Sequence, residues 1–426
     1  MSMRAAWKFG RCAAILSLAL IAAARAEAGE MYGITGIDPF VYGIDNAGQV
    51  LTSGGLYRNG VTTPITLPGT NQTIHPDAIS PGGTLAYTQG TTGYGATERA
   101  YVLKDGKSFN AGTTTGAPLT GSDSYSIAHA VNDAGAVAGE SRAYSRYDRA
   151  FTSAPGWGGV YQPVGLGANG GLTSNATAIN NPGTVVGWTD VATQWKDHAF
   201  VGSPTHDIGT LGGQNSVATA INGKGQVVGW SNVATDWKRP PNSENYFTPE
   251  PVHAFLYQNG KMTDLGSLPG YQDSVARAMN TSGQVVGHVG NSITSSYGAY
   301  LSYSRDSLIH AALFDANSGK VTDLNTLLAP GSGWILQDAL GINDSGQIIG
   351  SGTFNGVDRS FLLTPSTGDI AAVPEPGTLA IAAVGIVAVA LRRRAKRKLR
   401  AVKFSPRNWG LAAGVLAHAE NSTALA

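Results

Sequence analysis

The chain has 426 residues, of which only 13% are charged, and 57 of them are glycine. Between Glu27 and Leu391, 16 Lys and Arg stand against 27 Asp and Glu, a net charge of −11 that basic residues at both ends of the chain conceal. An acidic body of this kind lacks the electrostatic footprint of a nucleic-acid-binding protein. The single cysteine, Cys12, excludes a disulfide scaffold and a cluster of thiolate metal ligands.

The N-terminus has the pattern of an export signal. Basic residues precede an apolar run from Cys12 to Ala24, and two small-x-small cleavage candidates follow it, Ala24-Arg25-Ala26 and Ala26-Glu27-Ala28. This order predicts a signal peptide over residues 1–28 that the Sec machinery recognises and that is removed on export. Retention of the apolar run as an uncleaved anchor is the alternative.

A repeated motif fills the chain from Met31 to Ala372. Its first line reads apolar-Asn-x-x-Gly-x-apolar-apolar-Gly. Five clear copies and two weaker ones begin, in chain order, at Ile44, Ile79, Val131, Ile179, Ile221, Met279 and Ile342. A second line, His-Ala-Phe or Arg-Ala-Phe, follows the copies, and a third line reads Thr-Asp-Leu, as at Thr263-Asp264-Leu265. Together these lines resemble the HAF extracellular repeats, which implies an extracellular location and a repeat architecture.

Each repeat predicts four β-strands. Residues 216–221 alternate small and apolar side chains with the period of a strand, and the Asn-x-x-Gly segment that follows turns the chain. The two apolar residues before the last glycine, the His-Ala-Phe line and the Thr-Asp-Leu line supply three more strands. Seven copies of a four-strand meander predict an all-β protein, a seven-bladed β-propeller over residues 30–372. A β-solenoid or an open array is the alternative.

The recurring polar residues of the repeat suggest metal sites, but the spacing argues against them. His198, His253 and His310 occupy equivalent positions, which a propeller spreads around a ring too wide for one ion, and other repeats carry arginine there. We expect these histidines to bond the edge of each blade. The Asn-Asp turns at Asn132 and Asn343 lack the alternating carboxylates of a calcium loop, so Asx-turn bonding is expected and calcium is the weaker alternative. No cofactor is therefore predicted.

Two adjacent repeats share a tryptophan-containing segment. Residues 187–196 and 229–238 match at seven of ten positions, which indicates duplication of one blade. Aromatic faces beside carboxylates stack on sugar rings, so the segment is a candidate ligand-binding surface. Its aromatic residues are Trp188, Trp195, Trp230 and Trp237. The alternative is that these rings pack between neighbouring blades.

The C-terminal region has the pattern of a second targeting signal. A rigid linker is followed by 15 uncharged residues from Gly377 to Leu391 and then by an arginine cluster. The span is apolar enough for a transmembrane helix, and the arginines are expected to stay on the cytoplasmic side. The three parts in this order resemble the PEP-CTERM sorting signal over residues 373–394, which implies recognition by an exosortase. The sorting residues are Val373, Pro374, Glu375, Pro376, Arg392, Arg393 and Arg394. The basic tail, residues 395–426, is predicted to be disordered.

Familiar catalytic motifs are missing from the sequence. It contains no G-x-S-x-G, no H-E-x-x-H and no P-loop. The sequence therefore predicts a non-enzymatic repeat protein that is anchored transiently in the inner membrane and then displayed on the cell surface or released into the extracellular matrix, in contact with exopolysaccharide. The alternative is an extracellular propeller glycosidase or polysaccharide lyase whose residues converge in the central channel, which a sequence does not reveal.

Overall fold

The computed structural model describes residues 32–366, except for 39, 71, 91–97, 113–124, 143–146, 157–160, 167–169, 192–195, 203–204, 235–250, 292, 297–299 and 304–307. These residues form seven four-stranded antiparallel sheets and two short hairpins. The predicted signal peptide, the predicted C-terminal helix and the sorting residues lie outside the described residues. Among the described residues, no helix is long and apolar enough to cross a membrane.

Each sheet is one blade, and in blades 1 to 6 the strands follow in chain order from the centre outwards. Blade 1 consists of β2 (Val41–Ile44), β3 (Val50–Thr52), β4 (Gly55–Arg58) and β5 (Val61–Thr63). Blade 2 consists of β8 (Pro76–Ile79), β9 (Leu85–Gln89), β10 (Arg99–Lys104) and β11 (Lys107–Asn110). Blade 3 consists of β12 (Tyr125–Val131), β13 (Val137–Arg142), β14 (Arg149–Pro155) and β15 (Tyr161–Gly165). Between blades 1 and 2 lies the hairpin of β6 (Ile65–Thr66) and β7 (Thr73–Ile74).

The second half of the molecule repeats this plan with longer strands. Blades 4 and 5 consist of β16 (Gly170–Ile179), β17 (Val185–Val191), β18 (Lys196–Val201) and β19 (His206–Gly209), then β20 (Gly212–Ile221), β21 (Val227–Val233), β22 (Val252–Gln258) and β23 (Lys261–Gly266). Blade 6 consists of β24 (Asp273–Met279), β25 (Gln284–Gly290), β28 (Ile309–Asp315) and β29 (Lys320–Asp323), with an inserted hairpin of β26 (Ile293–Ser296) and β27 (Tyr300–Tyr303). A 3-10 helix, Leu324–Leu327, leads from blade 6 into blade 7.

Blade 7 closes the ring with strands from both ends of the repeat region. It contains β30 (Trp334–Ile342), β31 (Ile348–Phe354), β32 (Val357–Pro365) and, as its outermost strand, β1 (Tyr32–Ile37). β1 runs antiparallel to β32 with Tyr32 opposite Pro365 and Ile37 opposite Ser360. The first strand of the repeat region therefore completes the last blade, a closure that the sequence pattern did not reveal.

The first strands of the blades form the central ring. Each contacts the first strand of the next blade, from β2 through β8, β12, β16, β20 and β24 to β30 and back to β2. These strands enclose the central channel. The prediction of an all-β, seven-bladed propeller is confirmed, and the solenoid and open-array alternatives are wrong because the ring closes.

The hydrophobic core lies between adjacent blades rather than in one centre. One apolar cluster joins Ala138 and Ala150 of blade 3 to Ala176 and Phe200 of blade 4, and all four side chains are fully buried. The small alanines of the inner strands let neighbouring blades approach each other, while the phenylalanine of each His-Ala-Phe line fills the wider space further out. The repeat thus encodes a wedge-shaped blade whose two faces pack against its neighbours.

Candidate functional site

A ring of asparagines ties the blades together at one end of the channel. In the Asn-x-x-Gly turns, each asparagine Nδ2 donates a hydrogen bond to the main-chain oxygen of the equivalent residue in the next blade. The bonds run from Asn132 to Asn180 (3.0 Å), Asn180 to Asn222 (3.0 Å), Asn222 to Asn280 (3.3 Å), Asn280 to Asn343 (3.2 Å) and Asn343 to Asp45 (3.0 Å). Blades 1 and 2 carry Asp45 and Ser80 at this position. Asparagine recurs because its amide supplies both a donor and an acceptor.

The same asparagines also close their own turns. The Asn180 Oδ1 atom accepts a hydrogen bond from the Thr184 N–H at 2.8 Å, and the Gly183 N–H donates to the Asn180 carbonyl at 2.9 Å. Gly183 has a φ of 90°, a conformation that favours glycine. The turn, which the sequence predicted, therefore also connects neighbouring blades through the asparagine side chain.

A belt of apolar residues narrows the channel beside these turns. The residue before each turn is Ile44, Ile79, Val131, Ile179, Ile221, Met279 or Ile342. Outside the belt lies a cavity of about 170 Å³ whose rim includes Asn46, Asp133, Asn181, Thr281 and Asp344. The rim carboxylates Asp133 and Asp344 already have hydrogen-bond partners.

Two rim carboxylates each bridge neighbouring blades. Asp133 accepts hydrogen bonds from the Gly82 N–H of blade 2 (2.6 Å) and from Asn181 Nδ2 of blade 4 (2.6 Å). Burial alone would raise the pKa of Asp133, but these bonds and one from Ser80 outweigh it and lower the pKa. These are the carboxylates of the Asn-Asp turns, and both are held by blade-to-blade bonds. Among the described residues, no group of three or more His, Cys, Asp or Glu side chains is placed to hold a metal ion.

Further out, serines join the blades. The alanine N–H of the His-Ala-Phe or Arg-Ala-Phe line donates to a serine Oγ on the first strand of the next blade. These bonds are Ala100 to Ser126 (3.0 Å), Ala150 to Ser174 (2.9 Å), Ala199 to Ser216 (2.8 Å) and Ala254 to Ser274 (2.9 Å). The serine therefore satisfies a buried N–H that the sheet would leave without a partner.

The recurring histidines pair with the aspartate of the Thr-Asp-Leu line. The Nδ1–Oδ2 distances are 2.8 Å for His198–Asp207, 2.8 Å for His253–Asp264 and 2.7 Å for His310–Asp323. Each pair links the third and fourth strands of one blade. The hydrogen bond that His253 donates to Asp264 is the main cause that raises the pKa of His253, with burial opposing it. Burial would raise the pKa of Asp264, yet the bonds from His253 and the Gly266 N–H lower it.

These pKa shifts predict a stability window for the His253–Asp264 pair. The lowered pKa of Asp264 stabilises the fold above about pH 4, and this contribution is lost as the pH falls through the folded-state pKa. The raised pKa of His253 stabilises the fold below about pH 6.5 and is lost as the pH rises through the folded-state value. We expect Asp264→Asn to lower the melting temperature most between about pH 4 and 6.5.

Melting curves of the full chain across pH, with Asp358→Asn at an exposed position of β32 as the control, measure this window. The salt-bridge account is wrong if the difference between the wild type and Asp264→Asn is the same at every pH.

A β-bulge recurs at one position in the first strand of every blade. The pairing register shifts at Val41/Gly43, Pro76/Ala78, Ala128/Ala130, Ala176/Ala178, Ala218/Ala220, Ala276/Ala278 and Ala339/Gly341. The bulge also explains the glycine of the Val-Val-Gly line, because a Cβ on Gly229 would overlap the main-chain oxygen of Val217. A bulge re-aims the extra residue, and bulges are common next to functional sites.

The bulged residues line the channel and differ from blade to blade. In blades 1 to 7 they are Tyr42, Asp77, His129, Thr177, Thr219, Arg277 and Leu340. In blades 1 to 3 the residue is exposed although it lies within the innermost strand, because it faces the channel. In blades 4 and 5 a threonine Oγ1 bonds the next first strand, as from Thr177 to the Ala218 oxygen at 2.6 Å. The bulged position therefore carries a structural threonine in two blades and charged, aromatic or apolar side chains in the others.

A polar cluster surrounds the bulged residues of blades 2 and 3. Asn175 Nδ2 donates to Glu140 Oε2 at 2.6 Å, and His129 Nε2 lies 4.0 Å from the same oxygen. Asp77 faces the channel but has protein atoms on all other sides, so burial raises its pKa, while Thr88 and the nearby His129 act in the opposite direction. We call Asp77, His129, Glu140 and Asn175 the channel cluster.

A second charged group lies on the opposite side, between blades 6 and 7. Asp338 receives His288 Nδ1 at 2.8 Å and Arg277 Nη2 at 3.1 Å. Burial would raise the pKa of Asp338, but the charges of His288 and Arg277 lower it. Only 1% of the His288 side chain is exposed. This group is a buried ion-pair network that joins two blades.

The predicted tryptophan surface does not form one exposed face, because Trp230 lies in the core and Trp188 is half-buried against it. Trp230 is 2% exposed and packs with Val217, Val275 and Ile293 in one apolar cluster, so its ring offers no face to a ligand. Trp188 packs against the same cluster and is half-buried. Trp195 and Trp237 lie outside the described residues. Ligand contact through Trp188 stays a prediction.

Trp188 and Trp230 follow the second-strand glycine, as Glu140 and His288 do in other blades. Sequence reasoning singled out these two tryptophans but missed the acidic and imidazole side chains at the same position. The available signal was an acidic or imidazole side chain at a position where the other five repeats carry serine, threonine or tryptophan.

Comparisons with known proteins identify a sorting motif in the C-terminal region. Residues 372–394 match the PEP-CTERM protein-sorting motif, which confirms that part of the sequence prediction. No curated protein matches the sequence. Among solved structures, a gluconolactonase from Xanthomonas campestris aligns with a TM-score of 0.32 and 9% identity over 69% of this chain and 89% of that protein. A similarity at this level carries no argument about activity.

The molecule is a seven-bladed propeller that carries a PEP-CTERM motif. The motif marks an exported protein whose C-terminal region is anchored in the membrane until an exosortase processes it.

Proposed function

We propose that the protein is a non-catalytic binding or structural module that is displayed on the cell surface or released into the extracellular matrix, in contact with exopolysaccharide. The observation that carries the proposal is the sorting motif at residues 372–394, which follows a propeller whose last strand ends at Pro365. We assign the repeats of this propeller to the HAF type. An exosortase, the Sec machinery and, transiently, the inner membrane are the partners that this route requires.

The use of the repeated polar residues supports a non-catalytic role. The asparagines hold the ring, the serines join neighbouring blades, and His198, His253 and His310 each hold a carboxylate on the adjacent strand. Side chains that recur in the repeat are thus engaged in building it. The half-buried Trp188 and the channel cluster are not part of this repeated framework. An aromatic ring and polar side chains are groups that contact sugars, so a sugar is the ligand class that we propose.

Processing of the C-terminus tests the sorting route. We expect the exported protein from cells with an active exosortase to end near Pro376, because the motif directs removal of the span and the arginine cluster. Intact-mass spectrometry measures this end, and the same cells without the exosortase are the control. A mature protein that still carries Arg392–Arg394 in both strains would contradict the proposal.

A further inference from the structure

The channel cluster presents carboxylate acceptors toward the channel. Glu140 accepts from Asn175 Nδ2 at 2.6 Å, and 19% of its side chain is exposed. Asp77 of the same cluster is exposed, so two carboxylates of neighbouring blades are accessible to hydrogen-bond donors from the channel.

Asp77 and His129 of the channel cluster lie on the first strands, further from the Asn-x-x-Gly turns than the apolar belt lies. Near the Asn-x-x-Gly turns, the apolar belt is largely buried, with Val131 4%, Ile179 9% and Ile342 7% exposed. Asp77 and His129 are exposed on the other side of that belt. Tyr42, the bulged residue of blade 1, is 51% exposed and adds an aromatic face to the same wall. Carboxylate acceptors beside an exposed aromatic ring are the groups that bind sugar hydroxyls and the apolar face of a sugar ring.

We infer that the channel wall of blades 1 to 3 is a carbohydrate site, in which Asp77 and Glu140 accept hydrogen bonds from the hydroxyls of a neutral glycan and Tyr42 contacts a sugar face. This inference rests on the proposed function and gives it a location and a ligand class. The site excludes acidic glycans, because two carboxylates face the ligand and the body carries a net charge of −11 between Glu27 and Leu391.

Affinity electrophoresis of the full chain in detergent tests the site, with dextran, galactomannan and xyloglucan as neutral probes and alginate as the acidic probe. We expect at least one neutral polysaccharide to retard the wild type and alginate to have no effect. Glu140→Gln and Asp77→Asn should each weaken the binding about tenfold, because a hydrogen bond to a charged acceptor is lost or weakened. The matched control is Asp358→Asn, the same change of charge at an exposed position of β32 in blade 7.

The outcomes separate the site from the function. If a neutral glycan binds and both channel variants bind it as tightly as the Asp358→Asn control, the site is wrong and the proposed function stands. If no glycan retards the wild type, the exopolysaccharide contact fails and the site fails with it. Preference for alginate over the neutral glycans would also overturn the inference. Melting temperatures of the variants within a few degrees of the wild type show that the changes act on binding.

Discussion

The Ile37→Asp variant is expected to lose most of the stability of the propeller. Ile37 ends the closure strand β1, is 1% exposed and packs with Val41, Val50 and Ile349, so it joins blade 7 to blade 1. Burying a carboxylate there costs about 4 kcal/mol or more, a large part of the ~5–15 kcal/mol that stabilises a typical domain. Thermal unfolding of the full chain, followed by circular dichroism, measures the loss.

Thr35→Asp is the matched control, because Thr35 lies on the same strand and is exposed. We expect its melting temperature to stay within a few degrees of the wild type. Equal melting temperatures for Ile37→Asp and Thr35→Asp would mean that β1 does not close the ring in solution.

The second large effect is expected at the asparagine ring. Asn180→Ala removes the bond to the Asn222 oxygen and the bond from the Thr184 N–H, both of which are buried or partly buried. Leaving these groups without partners costs about 2–4 kcal/mol. Asn180→Asp keeps the side-chain acceptor for the turn but loses the donor to the next blade. It therefore distinguishes the contribution of the turn from the contribution of the bond between blades.

Asn181→Ala is the control at the same turn, since its side chain bonds Asp133 at an exposed position and a change there costs less than about 1 kcal/mol. Chemical unfolding midpoints of the three variants give the comparison. If Asn180→Ala unfolds at the same denaturant concentration as Asn181→Ala, the asparagine ring contributes nothing to the stability.

The fold followed from local patterns in the sequence. Period-two alternation before each turn, glycines with positive φ and seven copies of the motif were sufficient to predict a seven-bladed propeller. In the structure Gly225 has a φ of 77°, as the turn requires, and β20 and β23 contain the predicted strands. These features depend on residues that are close in the sequence, so a single repeat is sufficient to predict the strands and turns of a blade.

Closure and the channel were not predictable because they depend on residues far apart in the chain. Tyr32 pairs with Pro365, and nothing in the segment 32–37 resembles a fourth strand of the repeat. The bulge falls within a regular alternation of small and polar residues, so Asp77, His129 and Arg277 looked like ordinary strand positions. The bond between Glu140 and Asn175 crosses a blade boundary, which is set by the ring and not by either repeat.

The length of exopolysaccharide after incubation with the full-chain protein is the most direct test of a non-catalytic binding role. We predict that the polysaccharide of the producing cells co-elutes with the protein in size-exclusion chromatography, and that neither its size distribution nor its number of chain ends changes. Shortened polysaccharide with new chain ends would contradict the account and assign the channel to a glycosidase or a lyase.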